Sequence, residues 1–169
     1  MSEFFIDVFF AIIAGFGFSY VNNPPKRILF YCAVLGGFGY ALRLMLIKFE
    51  IFNITAATLI GSLCIGFCAI FFARRLKVPI EVLSFPALLP MIPGLQAYTT
   101  IVSVFNFIRS DDYDKKTHFL IEFFTNGFIT ISVIFALIVG VSIVLLIFYE
   151  KSFTMTRNSH FRKKYLEEN

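Results

Sequence analysis

Tryptophan is absent from this 169-residue chain, and histidine, cysteine and charge are scarce: two His, three Cys and 15% Asp, Glu, Lys and Arg. Soluble domains carry about 25% charged residues, so the surface that would hold such a chain in water is missing. A soluble enzyme is excluded. His118 and His160 stand far apart and outside the apolar runs, which leaves no imidazole for a mid-membrane metal site or for the base of an intramembrane hydrolase. Cys32, Cys64 and Cys68 all sit inside apolar runs, with no histidine or carboxylate at ligand spacing, and read as inert packing residues. No glycine-rich phosphate loop occurs, so ATP is not bound within this chain, and no cofactor is expected. Without tryptophan, the aromatic belts at the membrane surfaces fall to the seven Tyr and to Phe, which is abundant at 24.

What is present is apolar: 58% of residues are hydrophobic and the mean hydropathy is +0.80. A spanning helix takes about 20 residues, and the apolar content meets the demand of five. The expected fold is therefore all-α, a polytopic integral membrane bundle of about five transmembrane helices. The expected spans are about 4–21, 28–47, 51–73, 80–108 and 119–149, followed by a basic tail over 151–169. The first run follows Ser2 and Glu3 rather than basic residues and lacks a small-residue cleavage site, so it is expected to stay as a span rather than act as a secretory signal. The fifth is longer than a bilayer needs and is expected to tilt or to enter the interface.

The net charge of +4 sits in short clusters between the apolar runs, a topology signal rather than a nucleic-acid face. With five crossings, one side receives Lys26, Arg27, Arg74, Arg75, Lys77, Lys151, Arg157, Arg162, Lys163 and Lys164, and the other only Lys48, Arg109, Lys115 and Lys116. This asymmetry puts the amino terminus outside and the carboxyl terminus in the cytoplasm. The tail reads equally as a helix lying on anionic lipid, at about 1 kcal/mol per basic residue, or as a disordered retention charge.

The segment 80–108 is apolar but contains Pro86, Pro90, Pro93 and Gly94, after Pro79. Prolines remove helix hydrogen bonds, so the helix is expected to be discontinuous at Pro90 to Gly94. It is read as a crossing, because re-entry would turn the basic tail outward. A break in mid-membrane leaves free carbonyls on one half and free amides on the other, and the amide end attracts anions. Transporters hold substrates at such breaks. The expected substrate-binding residues are Pro90, Pro93 and Gly94 at a shielded cavity, with Gln96, Tyr98, Thr99 and Thr100 in the first turns of the new half-helix. The alternative is a kink that only shapes the bundle.

Charges within spans are costly, about 2.5 to 3.5 kcal/mol at a helix centre. Arg43 is expected to face the interior, where its fork suits a substrate carboxylate; snorkelling is the other reading. Asn126 joins the expected binding set, or bonds a neighbouring helix. A carboxylate shielded from water holds a proton more readily, which makes Asp7 and Glu122 the expected proton-coupling residues. Small residues at four-residue spacing, Gly15 with Ser19, Ala33 with Gly37 and Ala41, and Ala57 with Gly61, mark helix contact faces.

The run Pro90-Met91-Ile92-Pro93-Gly94 followed by Ala97-Tyr98-Thr99 resembles the proline-glycine signature of the threonine/serine exporter family. In particular it is similar to the small YjjB-like membrane subunit, the counterpart of the carboxyl-terminal half of single-chain exporters. Gly39 with Arg43, and Thr125 with Asn126, fit the same pattern over about residues 4 to 149. The resemblance implies a bacterial inner-membrane secondary exporter of small carboxylates, threonine and serine or, in split systems, succinate, driven by the ion gradient. It also implies a larger YjjP-like subunit as partner, hence a hetero-oligomer. The competing expectation is a structural membrane module that assembles with a partner and binds no substrate.

Overall fold

The computed structural model describes the backbone of residues 2–22 and 25–167 and the side chains of 3–22 and 25–148. Six α-helices follow one another: α1 (Ser2–Val21), α2 (Lys26–Lys48), α3 (Ile54–Leu76), α4 (Ile80–Leu88), α5 (Gly94–Arg109) and α6 (Tyr113–Glu167). There is no strand among the described residues. Three helices start one residue after a proline, at Pro25, Pro79 and Pro93, because proline presets the helical φ and needs no acceptor there. Four helices are long and apolar enough to cross a membrane, or five when the pair Ile80–Met91 and Gly94–Arg109, bent by 53°, is taken as one.

Helix α2 is the hub. Its consecutive small residues point round the axis in steps of about 100°, so Gly36 meets Ala87 of α4, Gly37 meets Ile12 of α1 and Gly39 meets Ile65 of α3. Each glycine lets one neighbour approach to backbone contact. On α1 the buried positions are Ala11, Gly15 and Ser19, one every four residues; Gly15 rests on the backbone of Cys32 and Ala33. The stripes expected on α1 and α2 are thus contacts between these two helices.

The pairings also give directions. Ile12 opposes Gly37 while Gly15 opposes Ala33, so α1 and α2 are antiparallel; Ile65 opposes Gly39 while Gly61 opposes Arg43, so α2 and α3 are antiparallel too. In contrast, Ser62 faces Gly140 while Gly66 faces Val144, which makes α3 and α6 parallel. Ser62 seals this contact by donating to the carbonyl of Ala136 at 3.1 Å. Replacing Ser62 by alanine is expected to cost about 0.6 kcal/mol and no more than about 1.7, the range for hydrogen bonds between membrane helices, read as a lowered midpoint of detergent-driven unfolding.

Helix α6 serves two partners. Its later part, through Val133, Leu137, Val141 and Val144, enters the core shared with α3 and α4, while its start pairs antiparallel with α5. Its apolar stretch Tyr113–Phe148 has 36 residues, about 54 Å at 1.5 Å per residue, against roughly 30 Å of hydrocarbon. The helix therefore tilts or projects beyond the lipid. Its backbone stays helical to Glu167; the side chains of the basic tail lie outside the described residues.

Candidate functional site

Between α4 and α5 the chain passes through a single tight 3-10 turn, Leu89–Met91, an extended Ile92 and then Pro93. At Pro93 (φ −79°, ψ 69°) the amide of Gly94 closes on the carbonyl of Ile92 at 2.8 Å, a three-residue inverse γ-turn. The α-helix is interrupted over residues 89–93, with the chain unwound at Ile92 and Pro93, and α5 starts at Gly94.

Three carbonyls around the break accept from donors outside the regular helical ladder. Pro86 has no N–H for the carbonyl of Val82 four residues back, and the Cys32 thiol from α2 lies 3.4 Å from that oxygen. Pro93 cannot serve Leu89, whose carbonyl accepts instead from the amide of Ile92 at 3.2 Å. The carbonyl of Met91 accepts from Nη1 of Arg43 at 2.6 Å. Cys32 is therefore more than the inert filler its apolar setting suggests.

Arg43 is 7% exposed, turned inward rather than snorkelling, and its Nε is buried with no acceptor among the described residues. A hydrogen bond from a charged donor is worth about 1.5 to 3 kcal/mol, the same order as the 2.5 to 3.5 kcal/mol that the charge costs at mid-span. One carbonyl thus only about offsets the burial, and the remaining donors of the fork can still take an acceptor.

The break is closed in this arrangement rather than hollow. The Met91 side chain lies in the gap between α2 and α3, 2.6 Å from where a Cβ on Gly61 would be and 3.7 Å from one on Gly39. A cleft of about 470 Å³ does exist, lined by Asn22, Pro25, Ile28, Val78, Pro79, Glu81, Val82, Phe85 and Pro86. It opens where α2 and α4 begin, and residues 89–94 take no part in it.

The other expected residues form a second group, along the α5–α6 hairpin. Thr99 and Thr100 donate to the carbonyls of Leu95 and Gln96, each 2.8 Å away. Thr100 also packs where a side chain on Gly127 would be. Asn126 Nδ2 donates to the carbonyl of Glu122 at 3.0 Å, within its own helix. Glu122 is half-buried, and its Oε2 accepts from the Ser103 hydroxyl across the hairpin at 2.9 Å. Gln96 is half-buried, Pro93 buried, Pro90 half-buried and Gly94 exposed. Tyr98 is 65% exposed on the outer face of α5, and Asp7 is exposed on α1, so neither joins Arg43. Ser103 and Ser62 were not singled out by sequence reasoning. A serine one or two turns from the more conspicuous Thr99 and Thr100 gave the only hint of the first.

Among the described residues no group of three or more His, Cys, Asp or Glu can hold a metal ion, and the one ion pair is the exposed Lys115 with Asp112 at 3.6 Å.

Comparison with known proteins places this arrangement. The family model described as Threonine/Serine exporter, ThrE, matches residues 7–147, which takes in the break, Arg43, all of α5 and α6 as far as residue 147. No solved structure matches the chain.

Proposed function

The chain belongs to the threonine/serine exporter family, and on that premise we propose that it is the small membrane subunit of a two-component exporter of small carboxylates. Threonine and serine are the first substrates and succinate the third, an ion gradient drives export, and a larger YjjP-like subunit completes a hetero-oligomer. The protein sits in a bacterial inner membrane, amino terminus outside and carboxyl terminus in the cytoplasm. The parallel run of α3 and α6 supports five crossings, since the bent pair between them must then end on the side opposite its start.

The observation that carries the substrate reading is Arg43: a buried guanidinium at a helix break, spending one donor on the Met91 carbonyl and keeping Nε free. A substrate carboxylate is a stronger acceptor than a peptide carbonyl and suits the fork in two-point geometry. It would displace Met91, whose flexible side chain then opens the gap beside Gly61. The amides of Leu95 and Gln96, which have no acceptor among the described residues, together with Pro90, Pro93, Gly94, Thr99, Thr100, Tyr98 and Asn126, form the path on the α5 side. Glu122 is the proposed proton carrier and Asp7 the second candidate.

Cells carrying the gene pair are expected to release labelled threonine, serine or succinate faster than the deletion strain, and a protonophore to abolish the difference. Equal efflux of all three substrates with and without the genes would overturn the proposal.

The structural-module reading draws on one observation, that Arg43 and both threonine hydroxyls already have partners within the protein. Arg43→Met and Tyr98→Phe separate the two: normal assembly and normal transport in both variants would favour a purely structural part.

A further inference from the structure

The cleft where α2 and α4 begin has no part in the break or in the α5–α6 hairpin. Its volume of about 470 Å³ is that of a site for a small molecule, and its lining is of two kinds. Ile28, Val82, Phe85 and Pro86 give it an apolar wall, while Asn22 and Glu81 are the only polar side chains among the described lining residues. Asn22 spends Nδ2 on the carbonyl of Phe18 at 3.2 Å, which leaves Oδ1 to accept. Glu81 forms no ion pair among the described residues. Lys77 stands four positions before it, but the left-handed backbone of Lys77 (φ 56°, ψ 43°) ends α3 and breaks the helical spacing that would pair the two. Both polar groups of the cleft are thus acceptors that still lack a donor from an occupant.

The cations stand at the rim. Lys26 and Arg27 adjoin the lining residues Pro25 and Ile28, Lys77 adjoins Val78, and all three are exposed. The apolar helices α1 and α3 end here, while α2 and the bent pair begin, which sets the cleft at the level of the lipid headgroups. A fitting occupant therefore offers an ammonium to Glu81, an anion to the basic rim and an apolar body to the wall. A free amino acid meets the first two conditions but has little to lay against Phe85, which is 54% exposed on the outer surface. A phospholipid bearing a primary ammonium meets all three.

We propose that this cleft binds a phospholipid with a primary ammonium headgroup. The ammonium donates to Glu81 and to Asn22 Oδ1, the phosphate meets Lys26, Arg27 and Lys77, and the glycerol and upper acyl chains lie on Ile28, Val82 and Phe85. A quaternary ammonium has no N–H to give, and a headgroup with hydroxyls alone has no charge to set against Glu81, so both bind less well. Glu81 and the rim are exposed, so the preference has the size of exposed ion pairs, about two- to fivefold. The bound lipid also bears on α4. Val82 and Pro86 line the cleft, and the Val82 carbonyl is the one beside the Cys32 thiol of α2, because Pro86 has no N–H for it. The lipid therefore braces α4 against α2 about one turn before the break.

The chain has no tryptophan, so a single introduced one is the sole indole emitter. Phe85→Trp puts it in the cleft, and Phe71→Trp, at a position 62% exposed on α3 and outside the cleft, reports ordinary boundary lipid. The purified full-length protein is placed in mixed vesicles in which phosphatidylethanolamine, phosphatidylcholine or phosphatidylglycerol carries brominated, quenching chains. At Phe85→Trp the relative binding constant is expected to favour phosphatidylethanolamine about two- to fivefold over the other two, and at Phe71→Trp to favour none. Adding Glu81→Gln to Phe85→Trp should erase the preference over phosphatidylcholine. Equal quenching by the three lipids at Phe85→Trp, a preference for phosphatidylglycerol, a preference that survives Glu81→Gln, or relief of the quenching by free threonine would each overturn the proposal. Export plays no part in this readout, so a failed transport assay and a failed quenching assay point to different errors.

Discussion

Arg43→Met is expected to lower export by about ten- to a hundredfold while leaving the purified protein folded. The export figure follows from losing a charge-assisted contact worth about 1.5 to 3 kcal/mol at a factor of ten per 1.4 kcal/mol. The effect on folding is smaller because two changes oppose each other. The Met91 carbonyl loses its donor, a cost of about 1 to 3 kcal/mol, but a buried charge with an orphaned Nε is replaced by an apolar chain of similar length, which is often neutral or stabilising. Arg43→Lys keeps the charge and one donor and loses the planar fork, so it should retain stability and export at an intermediate rate. The checks are efflux of labelled substrate alongside a thermal melt. Wild-type export by the methionine variant would reduce Arg43 to a brace for the break.

Gly140→Val should have the largest effect on stability. A Cβ at Gly140 would collide with the Ser62 hydroxyl and lie 3.0 Å from Ser62 Cβ and 3.1 Å from the carbonyl oxygen of Leu59. Ser62 cannot swing aside without giving up its bonds to Leu59 and Ala136, and the Leu59 carbonyl belongs to the backbone of α3. The helices must therefore separate along the contact that also seats Val144 on Gly66. Overpacking costs about 1 to 3 kcal/mol, and valine adds two methyl groups, so the melting temperature should fall by roughly 2 to 12 °C. Pairing the milder Gly140→Ala with Ser62→Gly removes the colliding atoms and should restore most of the loss, a coupling that a double-mutant cycle measures. Additive losses in that cycle would mean the α3–α6 contact is not formed as described.

Much of the architecture was legible in the chain, because apolar runs and prolines act locally. The helix starts after Pro25, Pro79 and Pro93 follow from the missing N–H and preset φ of proline, and the family match over residues 7–147 agrees with the resemblance carried by the proline-glycine run. The candidate site was only half legible. Arg43 stood out as a charge in an apolar run, but its partner is a backbone carbonyl 48 positions away, and every residue has a carbonyl. That one is available only because the chain is unwound beside it. Likewise Glu122 was conspicuous and Ser103 was not.

The sequence by itself determined that this is a helical membrane protein with a weakened fourth segment, since hydropathy and proline content need no neighbour to be felt. The tertiary structure alone decided that Met91 closes the break, that Cys32 and Arg43 serve the carbonyls around it, and that the polar residues divide between the break and the α5–α6 hairpin. In lipid no hydrophobic force sorts one apolar helix face from another. Partners are therefore chosen by close approach at glycines and by hydrogen bonds to backbone atoms, and both depend on where distant segments lie rather than on which residues they contain.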